Sequence, residues 1–428
     1  MKKKLIVMSA DAMVFEDIEY LKKCDNFKKY FSNGCWIKKI DSIYPTVTYP
    51  CHTTMATGAW PDKHGLTSNF DARKIGTEPM PWTWFHDLVK TDDIFSAAKR
   101  AGLSTAAVFW PVTGRHPDID YLIAEYWTQG HGDTLRDAFG RCGSGEDMLD
   151  IIERHKEKLV ERKHPMCDEF LVACTCDIIR EKKTDLLMLH PANIDACRHK
   201  YGLFNDKVLE GIEETDRWIG KIMEAVRDAG IEEEVNLALT SDHGQVEIQR
   251  IVNLNVLFAD HKLIDVDEDG RILDWKAYCL SNGLSALVYL KDEGCRDQVS
   301  ELLYNWKEEG IYGFSEVYTE QEARQRYHLG GGFSFVLESD GITSIGTSCA
   351  GPLVSHFDVE DYRYGRATHG HLPFKGPQPT FWAMGPDFKE GVVLEHARLI
   401  DQAPTYAKLL GCELKNADGV ALDAILKA

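Results

Sequence analysis

Long apolar runs, basic charge and dense cysteine are all in short supply in this 428-residue sequence, and each shortage excludes a class of protein. No uninterrupted apolar stretch approaches the ~18 residues expected of a membrane-spanning helix. Lysine and arginine number 49 against 68 aspartates and glutamates, a formal net charge of −19. Without a basic excess to displace phosphate counterions, a long nucleic acid is excluded as the default partner. A small phosphate-bearing ligand stays open, provided that positive charge is supplied locally. The 12 cysteines are scattered from Cys24 to Cys412 and lack the density of a disulfide scaffold. Cys174 and Cys176 stand too close for a zinc-knuckle pair and read as helix residues.

The opening Met1-Lys2-Lys3-Lys4, followed by Leu5-Ile6-Val7-Met8, resembles a signal peptide. Its apolar stretch ends at Ser9 and soon meets Asp11, short of the ~7–15 residues usual for such a segment. A buried first strand is therefore expected, and with no export signal the thiols are expected to be reduced, in a cytoplasmic protein. Neither internal repeats nor low-complexity linkers are present.

Strand-like and helical segments alternate. Leu5–Ser9, Trp36–Ile43, Ser104–Trp110, Thr184–Leu189 and Val235–Thr240 read as strands; Glu16–Ser32, Ile94–Ala101, Cys167–Glu181 and Lys207–Ala229 have helical periodicity. This order predicts an α/β fold with a mainly parallel central sheet flanked by helices. From about Gln249 to Tyr364 the pattern changes. Leu284–Leu290 (strand), Cys295–Glu308 (helix) and Gly332–Ser339 (strand) suggest a small α+β insertion, before strand Thr380–Met384 and a helix near Ala403. Residues 1–248 and 365–428 are thus assigned to a catalytic core and 249–364 to the insertion. Oligomerisation is left open.

Ligands of open parallel sheets gather beyond the carboxyl ends of the strands. Asp11 follows the first strand, and Asp242-His243 follows Val235–Thr240. Asp195 and His199 lie just past Leu186–Leu189, with a spacing that would put both on one face if this segment is helical. His369 precedes the last core strand. An aspartate after a strand is ordinarily a cap or turn residue. Three aspartates and three histidines converging at one end of a sheet would instead suit one or two divalent metals, zinc being favoured by the imidazoles. Pro50 suggests a helix running to Gly58 with Thr48 at its entrance. Thr48 is then either an N-cap or, beside metals, a nucleophile at a helix N-terminus.

These residues resemble the alkaline phosphatase superfamily, and within it the nucleotide pyrophosphatase/phosphodiesterase family. Tyr44 to His52 resembles the nucleophile motif, with Thr48 in the nucleophile position. Thr57 to Gly65, followed by Asn69, resembles the segment carrying the phosphate-binding asparagine. Asp195 to Gly202, Ser241 to Gly244 and Thr368 to Gly370 resemble three metal segments, and Asp401 to Gly411 the closing helix. The resemblance implies an alkaline-phosphatase-like fold and two divalent ions, expected to be zinc. One would be held by Asp195, His199 and His369, the other by Asp11, Asp242, His243 and the Thr48 hydroxyl. Two departures bear on substrate fit: Cys51 stands where asparagine is usual, and a glutamate-proline pair is missing before Asp195. His371 is a competing candidate ligand, His52 and His64 read as structural, and His131 and His190 have no assigned role.

The implied chemistry is attack of Thr48 on phosphorus, a phosphothreonine intermediate and its hydrolysis, with Asn69 and the Thr48 N–H holding a non-bridging oxygen. The implied substrate is a small phosphodiester or nucleotide pyrophosphate. Tyr49 would stack on a base or cover an apolar group, with Trp110 as the opposite wall. Trp82 and Trp84 have no assigned role. A monoester would need a further cation, for which Arg115 and Arg198 are candidates although surface arginine is the plainer reading of each. Phosphonoacetate-type hydrolysis at the same site and a non-catalytic metal-binding homologue are the alternatives.

Overall fold

The first strand, Lys4–Ser9, is buried along its whole length, and its alternate side chains enter two different cores. Ile6 and Met8 belong to one apolar cluster, Leu5 and Val7 to the other. Leu187 and Leu189 against Leu186 and Met188 repeat the pattern on the neighbouring strand, so the sheet is covered on both faces. The computed structural model describes residues 3–130, 132–361 and 365–427; Met1 and Lys2 of the opening, His131 and the Tyr364 boundary lie outside them.

The central sheet has eight strands in the order Val393–Arg398, Cys35–Asp41, Phe381–Met384, Val235–Thr240, Lys4–Ser9, Leu186–Leu189, Thr105–Val108 and Tyr121–Ile123. Phe381–Met384 runs antiparallel to both neighbours and all other pairings are parallel. One face is packed by the long helices Met166–Lys182 and Asp206–Ala229. The second of these starts at an Asn205 cap, stops at Gly230 in the left-handed conformation, and buries Val208, Ile212, Ile219, Ile222 and Val226 at helical spacing. Each such side chain contributes roughly 1.5–3 kcal/mol of burial. Thr48–Thr57, Ile94–Arg100 and Gln402–Leu410 pack the other face. Beyond Val235–Thr240, a four-stranded antiparallel sheet, Ala277–Ser281, Ser285–Leu290, Phe335–Ser339 and Phe314–Thr319, carries its own apolar cluster with helix Arg296–Glu309.

Element ends shift by up to three residues from the sequence reading, the most at the strand expected from Gly332, which starts at Phe335, and there is one larger difference. The single helix expected over Glu16–Ser32 is broken into a 3-10 turn, Phe15–Asp17, a short helix, Ile18–Leu21, and a restarted helix, Asp25–Phe31. The restart is capped from elsewhere: the Asp216 carboxylate accepts from the N–H groups of Asn26 (3.2 Å) and Phe27 (2.6 Å). Periodicity within one segment carries no trace of such a partner.

Arg198 is not a surface arginine. It is 1% exposed, bonds both oxygens of Asp17 at 2.5 and 2.6 Å, and donates to the carbonyls of Ala12 and Leu203. It thereby ties helix Asn193–Tyr201 to the turn that follows the first strand. Arg198→Met would leave the Asp17 carboxylate buried without its counter-charge, and a loss of about 3–5 kcal/mol is expected in urea unfolding. A loss below about 1 kcal/mol would contradict this anchoring role.

Candidate metal centre and catalytic cavity

Three adjacent parallel strands deliver the acidic residues. Asp11 leaves Lys4–Ser9, Asp242 and His243 leave Val235–Thr240, and Asp195 and His199 sit on Asn193–Tyr201, the helix entered after Leu186–Leu189. Gly244 is required where that turn is made, since a Cβ there would lie 2.1 Å from the Pro377 carbonyl oxygen. His369 reaches the same place from the chain that follows the four-stranded antiparallel sheet. Gly370 follows it at φ +95°, where a Cβ would meet the Asn282 carbonyl oxygen at 1.7 Å.

Two ligand sets overlap on His243. Its Nε2 lies 3.6 Å from Asp11 Oδ1, 3.3 Å from Asp242 Oδ2 and 3.2 Å from Thr48 Oγ1. Its ring stacks on His369 with centroids 4.1 Å apart, and Asp195, His243 and His369 bring ligand atoms within 4.8 Å of one another. His199 Nε2 lies 3.2 Å from Asp195 Oδ2. The structure thus brings together Asp11, Thr48, Asp195, His199, Asp242, His243 and His369.

Supporting groups fix the ligands' orientation. The Nδ1 of His199 faces the Ala367 carbonyl (2.7 Å) and that of His369 the Thr46 carbonyl (3.0 Å), which leaves each Nε2 for an ion. Gln245, buried, donates to Asp195 Oδ1 (2.5 Å) and to the Asp195 carbonyl (3.1 Å). His190, unassigned from sequence, lies with Nε2 3.0 Å from Asp11 Oδ2. His52 bridges the Thr48 carbonyl and Ser9 Oγ, and His64 is held by Thr54. His371 places Nδ1 2.6 Å from Thr46 Oγ1 and joins none of the ligand groups found among the described residues.

The electrostatics fit a divalent cation. Burial, then the neighbouring Asp242 and Asp195, raises Asp11 well above the usual carboxylate range, and burial raises Asp242. Burial also works to raise Asp195, but His199 beside it holds that carboxyl far down. Burial lowers the His243 imidazole to about 4, and burial with His243 pushes His369 down further. Asp11 Oδ1 and Asp242 Oδ2 are buried without a hydrogen-bond donor. Carboxylate oxygens and neutral imidazoles gathered in this way are what zinc-like ions require.

Thr48 does not cap its helix: Val47 occupies the cap position, no side chain makes the cap bond, and Thr48 is the first helical residue. Its hydroxyl is therefore free of that role and faces His243. Asn69 Oδ1 accepts from the Tyr49 N–H at 2.8 Å, which turns the Asn69 amide nitrogen away from that bond. Both Thr48 and Asn69 line a cavity together with Asp11, Asp195, His199 and His369.

The aromatic walls differ from those expected. Tyr49 is fully buried, with its ring edge-on to Trp82, and Trp110 is 1% exposed, edge-on to His52. Neither lines the cavity; Trp82, Phe109 and Trp127 do. The backbone at Phe109 explains the exchange, since its φ of +55° breaks the strand's alternation and sends the neighbouring Trp110 inward. Arg115 packs over Phe85, and Arg198 is committed to Asp17, so neither supplies the local cation. Arg162, which the sequence did not single out, lines the cavity and the larger groove beside it, and no ion pair to it is found among the described residues.

Glu125 was also missed, because a lone glutamate after a strand carries no pattern. Burial lifts it to about 8, opposed by the Tyr49 hydroxyl. A carboxyl that keeps its proton in the folded state beyond the ordinary ~4.5 makes stability fall as pH rises from about 5 to 8, by up to about 1.4 kcal/mol per pH unit. Glu125→Gln should remove that component in thermal melts across this range. Parallel curves for variant and parent would show that Glu125 is not buried in its neutral form.

The sequence profile of the type I phosphodiesterase / nucleotide pyrophosphatase family matches residues 5–364. Human ectonucleotide pyrophosphatase/phosphodiesterase family member 1 is 24% identical over 259 residues, 58% of this chain and 23% of that protein. The chain thus spans about a quarter of the length of that relative. Mouse family member 7 is 21% identical over 97% of this chain and 85% of its own. Murine ectonucleotide pyrophosphatase/phosphodiesterase 5, solved as an inactive form in complex with AMP, superposes with a TM-score of 0.71 at 18% identity, covering all of both chains.

Proposed function

The chain belongs to the type I phosphodiesterase/nucleotide pyrophosphatase family, and from that membership we propose that it is a metal-dependent hydrolase cleaving a phosphodiester or nucleotide pyrophosphate bond through a phosphothreonine on Thr48. The observation that carries this reading is the Thr48 hydroxyl, released from capping and 3.2 Å from His243 Nε2. Two divalent ions, expected to be zinc, would supply Lewis-acid charge when bound by Asp195, His199 and His369 and by Asp11, Asp242, His243 and Thr48.

The chain's own residues account for the rest. Thr48 Oγ1 attacks phosphorus and gives up its hydroxyl proton, forming the Oγ1–P bond while the ester bond to the leaving group breaks, and the leaving oxygen takes one proton from solvent, so that protons balance. Water then hydrolyses the phosphothreonine and regenerates the hydroxyl. The Asn69 amide and the Thr48 N–H, at the first turn of a ten-residue helix, are set to hold a non-bridging oxygen as its charge develops. Trp82, Phe109 and Trp127 offer flat apolar faces to the organic part of the ester. The −19 charge supports a nucleotide-sized substrate over a long polyanion.

Thr48→Ala should abolish turnover of bis-p-nitrophenyl phosphate while leaving fold and metal content intact; near-parental rates in that variant would refute the nucleophile. Asn69→Ala should lower kcat by about 10²-fold. Asp242→Asn should lose metal by elemental analysis together with activity, and chelation with EDTA should abolish activity until zinc is restored. Wild-type protein that is loaded with metal but inert to diesters, pyrophosphates and monoesters would favour the non-catalytic reading, and turnover confined to phosphonoacetate the phosphonate reading.

A further inference from the structure

A second potential ligand group lies on the cavity wall, away from the residues discussed above. It comes from the segment entering helix Met166–Lys182. His164 Nδ1 is 2.6 Å from Asp168 Oδ2, Cys167 Sγ is 3.3 Å from that Nδ1, and Sγ is 3.8 Å from Asp168 Oδ2. Cys167 and Asp168 are buried, the His164 side chain is 26% exposed, and all three line the same cavity as Thr48 and Asp195. We propose that His164, Cys167 and Asp168 form a third divalent-metal site, suited to zinc, whose open position faces the catalytic cavity.

The separations support this geometry. Around a tetrahedral zinc with bonds of ~2.0 Å to N and O and ~2.3 Å to S, ligand atoms stand ~3.3–3.5 Å apart. The two sulfur separations, 3.3 and 3.8 Å, lie close to those values. Only His164 Nδ1 and Asp168 Oδ2, 2.6 Å apart across a shared proton, must open, by about 0.7 Å on this geometry. One carboxylate oxygen is already aimed, because Asp168 Oδ1 accepts from the Ala192 N–H at 2.7 Å. Binding balances in charge: the ion displaces the His164 Nδ1 proton and the Cys167 thiol proton to solvent, and thiolate plus carboxylate neutralise its two charges. Glu214 lies in the field of Asp168, and Arg162 lines the cavity on the other side.

A contrasting cluster shows what the proposal requires. His86, Asp93 and His116 are equally close, but His116 Nδ1 accepts from the Asp118 N–H and its Nε2 lies 2.9 Å from Asp93 Oδ2. The Nε2 therefore carries the proton and has no lone pair to give. At His164 the contact to Nε2 is the Cys167 sulfur at 3.7 Å, too long to fix the tautomer, so that nitrogen can keep a proton while Nδ1 binds.

Three ligands with a fourth position open to a cavity is the arrangement of an ion that takes water or a substrate oxygen. The class of ligand inferred is an anionic oxygen of the substrate, distant from the atom attacked by Thr48. Substitution with cobalt(II) tests the site directly, because the ligands of the catalytic pair contain no sulfur. Wild-type protein saturated with Co(II) should show a near-ultraviolet thiolate-to-metal charge-transfer band and hold one more ion per chain than Cys167→Ser. His164→Asn, a second variant, should lose the same ion. A band that is absent in wild type, or that persists in Cys167→Ser, overturns the proposal, as does equal metal content in wild type and both variants. Loss of the catalytic pair in Asp242→Asn leaves the band unchanged, so failure of the Thr48 reading and failure of this one are told apart.

Discussion

Taking Asp11, Asp195 and Asp242 out of water at adjacent strand ends is the constraint on which the rest of this structure depends. Three carboxylates buried within reach of one another repel, and burial penalises each negative charge. The fold answers with the His199 imidazole, whose pKa Asp195 raises against burial, with the His243 and His369 imidazoles, which burial lowers, and with a neutral amide, Gln245, on Asp195. His199 answers Asp195, whereas Asp11 Oδ1 and Asp242 Oδ2 are left without a hydrogen-bond partner, which suits a cation. Much of the nearby architecture serves to hold that arrangement. Thr46 alone accepts from Gly370 and receives the rings of His369 and His371, and Arg198 locks the helix that carries Asp195 and His199.

The same constraint explains why so acidic a chain can suit a phosphate ester. Net charge describes the exterior, where most lysines and arginines meet a partner carboxylate. Inside the cavity the balance is set by a handful of groups: the ligand carboxylates, Arg162 at the mouth, and Glu125 held largely neutral by burial.

What the sequence revealed followed from chemistry that repeats locally. Strand Val235–Thr240 was legible because a continuous apolar run has few alternatives, whereas the spacing of Asp195 and His199 told only that they would share a face if their segment were helical, as it is. The candidate ligands could be named because they fall at strand ends in a strand-helix alternation. The cavity's side walls were not legible. Whether Trp110 faces the cavity or the core depends on one left-handed residue, Phe109, which nothing in its neighbours announces. The break after Leu21 depends on Asp216, nearly two hundred residues away. Glu125, Arg162 and the His164–Cys167–Asp168 group were passed over for a related reason: their meaning lies in the cavity that they share, which only the tertiary arrangement creates.

The position of His243 between the candidate ligands Asp11 and His369 also has a bearing on how the molecule is made. Those two residues stand near opposite ends of the chain, and the strand that follows His369, Phe381–Met384, inserts between Cys35–Asp41 and Val235–Thr240. The candidate site therefore depends on pairings between residues far apart in the sequence, contacts whose closure entropy is largest.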